Sequence, residues 1–147
     1  MKKTIVTLAF MALANACIAQ SILSSKDIRE VTQSMIEAYK ADKSKGMREA
    51  EAECWKEMKA GAEGMEGVVA ACGIAGFAGH LIDDLSAEKE KRKINSYWTD
   101  DAVAERVANN AVKTKLSEKS IERLMEKEIF SEKNSEIIAK ELTKAGF

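Results

Sequence analysis

Sixteen consecutive residues, Gly67 to Ile82, carry no Asp, Glu, Lys or Arg, and half of them are glycine or alanine. In a chain that is 32% charged, a run this apolar is either packed inside the protein or set in lipid. Its small side chains narrow the choice, because only a closely approaching neighbour fills the space they leave. Gly67, Ala71, Ala75 and Gly79 recur every four residues and share one helix face. Gly73, Gly76 and Gly79 form a second row at a spacing of three. A glycine inside a helix costs roughly 0.5–1 kcal/mol relative to alanine, so several together call for close packing. At 16 uncharged residues the run falls short of the ~20 that span a bilayer. The reading is a Gly/Ala-rich central helix, clasped by its neighbours in a water-soluble bundle. A membrane-active helix and a homodimer seam are the alternatives.

The rest of the chain reads as helix. There is no proline in 147 residues, and apolar residues recur at spacings of three and four. Ser24, with Asp27 three residues on, marks a helix start. Ile28, Val31, Met35, Ile36 and Tyr39 form its stripe, and Gly46 reads as its stop. The following helix carries Met47, Cys54, Trp55 and Met58. Thr99, Ser117 and Ser131 read as later N-caps. Val103 and Val107 face inward on one helix, Ile121, Leu124, Met125 and Ile129 on the next, and Ile137, Ile138 and Leu142 on the last. The expected fold is all-α: a compact bundle of five to six helices in a single domain over residues 20–147.

Residues 1–19 have the three parts of a secretory signal. Lys2 and Lys3 begin it, Thr4 to Ala14 are its apolar centre, and Cys17-Ile18-Ala19 ends it before Gln20. The pattern points to export to the periplasm of a bacterium. Cys17 after a small residue offers an alternative, a lipoprotein anchored to a membrane through that cysteine. Removing residues 1–19 leaves 21 basic against 24 acidic residues, a net charge of −3. Such a domain is a poor partner for nucleic acid, where phosphate contacts supply most of the affinity.

Cleavage before Gln20 also leaves two of the three cysteines, Cys54 and Cys72, in an oxidising compartment. Within one helix their Cα atoms would lie about 27 Å apart, far beyond the 4.4–6.8 Å of a disulfide. A bridge therefore requires the chain to reverse near residue 63, where Gly61, Gly64 and Gly67 cluster. A hairpin centred there sets Cys54 opposite Cys72.

Chemistry-bearing patterns are few. His80 lies within a helical turn of Asp83 and Asp84, but the chain has no second histidine, and the trio reads as a hydrogen-bonded helix surface. Zinc needs three or four ligands and acyl transfer a nucleophile. No phosphate-loop motif is present. The reading is therefore a protein that is not an enzyme and holds no cofactor or metal. Tyr97 and Trp98 stand in a polar turn beside Asp100 and Asp101, the pattern of an aromatic anchor with an acidic rim for a protein partner; the alternative is that the two rings fold inward and cap the end of the bundle. The expected function is protein binding by a small exported domain, of the kind performed by periplasmic inhibitors and immunity proteins that neutralise a secreted toxin or an envelope enzyme.

Overall fold

Ser24 begins the first helix, α1 (Ser25–Lys56), with a capping box. Its hydroxyl accepts the Asp27 N–H at 3.2 Å, and the Asp27 carboxylate accepts the Ser24 N–H at 2.8 Å. Both bonds satisfy amides that no helical carbonyl can reach. The structure is a computed structural model and describes residues 22–58 and 64–147. The segment 1–19, Cys17, and residues 59–63 with Gly61 lie outside the described residues.

The stripe Ile28, Val31, Met35, Ile36 and Tyr39 is buried along α1. The helix breaks at Asp42 and Lys43, where Lys43 takes a left-handed φ of 48°. The break thus falls three residues before Gly46, the residue that sequence marks as a stop. Gly46 serves another purpose: a Cβ there would collide with the Ala38 carbonyl oxygen. Beyond the break, α1 turns Met47, Glu51 and Cys54 inward.

The chain then reverses, with Gly64 at φ +70°, a conformation that glycine adopts without penalty. Cys54 and Cys72 are bridged, with their Cα atoms 5.6 Å apart. The staple ties α1 to α2 (Glu66–Glu90), on which the remaining described elements pack.

Every residue from Val69 to Gly79 on α2 is buried. The helix outruns the uncharged segment, taking in Asp83 and Asp84 before Lys91 ends it at φ 52°. By length and mean hydropathy α2 is able to cross a membrane, yet 72% of its most apolar window is buried inside the protein. The close contacts fall on its row of glycines at a spacing of three. A Cβ on Gly73 would meet the Ile129 side chain, one on Gly79 the Trp98 ring, and one on Gly76 would lie 3.0 Å from a Glu51 oxygen and 3.1 Å from Val103. Of the four-residue row, Ala71, Ala75 and Gly79 are buried and Gly67 is half-buried.

A 3₁₀ turn (Ser96–Trp98) leads to α3 (Asp100–Ala111), whose N-cap Thr99 accepts the Ala102 N–H. Helix α4 (Glu118–Leu124), capped by Ser117, runs into a π turn (Met125–Ile129). The Phe130 N–H closes that turn on the Met125 carbonyl at 2.8 Å. The extra residue accommodated by this wider turn sets Ile129 into the space at Gly73. Buried Asn134 donates to the Glu128 carbonyl just past the turn. Helix α5 (Glu132–Lys144), capped by Ser131, packs on α1 through Ile138 and Leu142. Among the described residues there are five α-helices and no strand, the all-α architecture expected from sequence.

Candidate functional site

The loop from α2 to α3 is held by charges buried on both sides of it. Asp83 has no solvent exposure. Its carboxylate accepts the Asn95 N–H at 2.7 Å and two Arg92 N–H groups at 2.9 and 3.3 Å. Asp83 and Glu90 raise the pKa of the Arg92 guanidinium, fixing it in the charged form. The Asn95 side-chain oxygen in turn accepts the Tyr97 N–H at 3.0 Å and Arg48 Nη2 at 2.7 Å. These bonds fix the first turn of the loop without any contribution from its aromatic rings.

Trp98 points inward. It is fully buried, its ring fills the space at Gly79, and its indole N–H donates to Ser44 Oγ at 2.8 Å. Its carbonyl lies 2.6 Å from His80 Nδ1, and His80 Nε2 lies 3.0 Å from an Asp100 oxygen. Both ring nitrogens face acceptors, so only a doubly protonated ring donates to both.

Tyr97 is half-buried against two guanidiniums. Arg106 Cζ lies 3.8 Å and Arg48 Cζ 4.6 Å from its ring centroid, two cation–π contacts. Arg106 grips fully buried Glu51 with two bonds, Nε to Oε1 at 3.2 Å and Nη2 to Oε2 at 3.1 Å. Its Nη1 donates to the carbonyls of Tyr97 at 2.6 Å and Ala102 at 3.0 Å. Trp55 Nε1 gives Glu51 a third donor at 3.3 Å. Burial raises the Tyr97 phenol above its ordinary value, and the Glu51 charge adds to this against the opposing Arg106.

The residues singled out by sequence therefore part company. Trp98, one of the two candidate anchor rings, takes the inward alternative and is part of the core, because Gly79 leaves a gap of its shape. Tyr97 reaches solvent in part, and Asp100 and Asp101 are exposed. The expected trio of His80, Asp83 and Asp84 does not form. His80 engages Trp98 and Asp100, Asp83 engages Arg92 and Asn95, and Asp84 is exposed.

Beside the two exposed carboxylates lies a groove of about 320 Å³, lined by Asp100, Asp101, Ala104, Met125, Glu126 and Phe130. Met125, Ala104 and Phe130 make it apolar, and three carboxylates edge it. Phe130 is set edge-on to Phe77 at 5.2 Å, which fixes the groove wall to α2. Met125, Glu126 and Phe130 were not legible as site residues. Periodicity assigns Met125 to the buried stripe of α4, and the π turn shifts the phase after Leu124. Ile121, Leu124, Met125 and Ile129 fit a regular 3.6-residue repeat, so the sequence carries no signal of the shift.

A second cavity of about 340 Å³, lined by Tyr39, Lys40, Lys43, Lys89 and Phe147 among others, is basic in character. Among the described residues no group of three or more His, Cys, Asp or Glu is placed to hold a metal ion. No protein-family model, curated protein or solved structure matches this chain.

Proposed function

We propose that this is a small exported helical protein that acts by binding another protein, as a periplasmic inhibitor or immunity protein against a secreted toxin. One observation carries the reading. The turn at residues 95–100 is locked by buried ion pairs and a buried indole, and it presents Asp100 and Asp101 beside an open apolar groove. Preorganisation of this kind lowers the ordering cost of association. An exposed acidic rim around an apolar centre suits a protein partner.

Support for export comes from two sources. Residues 1–19 have the order of a secretory signal, and a bridged cysteine pair is the usual mark of an oxidising compartment. The test is a photo-crosslinking amino acid placed at Asp101, or at Lys40 as a control, in the exported protein. The reading expects a discrete protein adduct from position 101 and none from position 40. Identical adduct patterns at both positions, or none at either, would contradict it.

A further inference from the structure

We propose that the groove between α3 and the π turn receives a cationic amphipathic segment of the partner protein. Apolar side chains of that segment seat on Ala104, Met125 and Phe130, and its Lys or Arg side chains lie over Asp100, Asp101 and Glu126. The proposal rests on the protein-binding reading above and adds to it the chemistry of the partner.

Charge complementarity selects the occupant. Several acidic side chains elsewhere on the surface are matched within the chain: Glu30 by Lys26, Asp42 and Glu49 by Lys45, Glu53 by Lys56, Glu66 by Arg123, Glu90 by Arg92. The groove gathers three carboxylates beside apolar walls with no cation among its lining residues. Among the described residues neither Asp101 nor Glu126 has an ion-pair partner, Asp100 faces only His80, and no Lys or Arg lines the groove. Carboxylates grouped beside apolar walls focus a negative field, which speeds and orients the approach of a cation. An anionic peptide or an anionic lipid surface is repelled by the same field.

The shape agrees with a segment rather than a small polar ligand. A volume of about 320 Å³ holds a few side chains, and its walls are mostly apolar. A regular helix laid in a groove presents apolar anchors at successive turns with charges at its flanks. That pattern matches an apolar floor between Asp100 and Asp101 on one side and Glu126 on the other.

The test is a titration of the isotope-labelled, disulfide-bonded protein with a short amphipathic Lys/Leu peptide, followed by NMR. A Glu/Leu peptide of the same pattern is the control. The expected result is shift changes confined to Asp101, Ala104, Met125, Glu126 and Phe130, with affinity falling as salt rises. The double variant D101N/E126Q is expected to bind at least about tenfold more weakly while melting at the same temperature as the parent. Met125→Ser is expected to weaken binding in the same way. Shifts scattered over the surface, or equal binding by parent and double variant, would overturn the proposal. The two levels of the account are separable. A partner crosslinked at position 101 but captured equally well by D101N/E126Q removes the groove and leaves protein binding. Peptide binding in the groove without any crosslinked protein does the reverse.

Discussion

Gly79 and Trp98 show how much of this molecule is decided by single residues. The indole occupies the volume that a Cβ at position 79 would need. Because the ring is fully buried and tethered to Ser44, it has nowhere to retreat. Gly79→Ala is therefore expected to destabilise the protein by about 1–3 kcal/mol despite the better helix propensity of alanine. A thermal melt reads this, and an unchanged midpoint would contradict the packing described. Position 98 was legible as a turn, with an inward-folded ring and an exposed anchor both open to it. A local pattern cannot show that a glycine nineteen residues earlier leaves an indole-shaped gap. Glu51 was similarly hidden, since a lone carboxylate on a helix reads as surface. Removing its partner with Arg106→Met leaves a buried charge uncompensated and is expected to cost about 3–5 kcal/mol. The double variant Glu51→Leu with Arg106→Leu is expected to recover most of that loss in denaturant melts. A double variant as unstable as Arg106→Met would show that the pair does more than neutralise itself. Tyr97 offers a spectroscopic check. Its folded phenol titrates above the ordinary value of 10.0 because burial disfavours the phenolate. Its contribution to stability is then complete below pH ~10 and is lost as pH rises through the folded value. In a Tyr39→Phe background, ultraviolet titration should place the remaining tyrosine above that value; a midpoint at or below it would contradict the burial of the phenol beside Glu51.

Helices in this chain are readable where their signals are local. Ser24, Thr99, Ser117 and Ser131 each cap a helix with a bond to an amide three residues on. Such bonds depend on the sequence nearby and on little else. Two features escaped for the opposite reason. The break at Asp42–Lys43 is displaced from Gly46 because that glycine is needed for contact with Ala38. The π turn exists because Ile129 must reach Gly73 on another helix and because the Asn134 side-chain amide donates to the Glu128 carbonyl. The groove inherits this difficulty, since Met125 and Phe130 face it only after the phase shift. Between α1 and α2 the decisive element is the staple. It closes a loop with a sequence separation of 18, and on loop entropy it contributes about 3 kcal/mol. Cys54→Ala with Cys72→Ala should lower stability by about that amount in urea while far-ultraviolet circular dichroism stays helical. Equal midpoints for parent and double variant would show that the helices hold the reversal alone.

At the scale of the whole molecule, the uncharged run of α2 decides the architecture. Its buried faces are filled by Trp98, Val103 and Ile129 of the same chain. What then reaches solvent beside the rigid turn is an acidic rim around an apolar groove, and the proposed function follows from that surface. The helical class and the reversal between the cysteines were legible because composition and spacing constrain them directly. The groove was not, because it joins residues from α3 and the π turn that are far apart in sequence. The account depends on this domain working outside the cytoplasm with its staple closed. The most direct test is non-reducing mass spectrometry of the chain recovered from the periplasmic fraction of a bacterial host. The account predicts a chain that begins at Gln20 and yields a Cys54–Cys72 linked peptide. A cytoplasmic chain beginning at Met1, with Cys54 and Cys72 both open to alkylation, would contradict it.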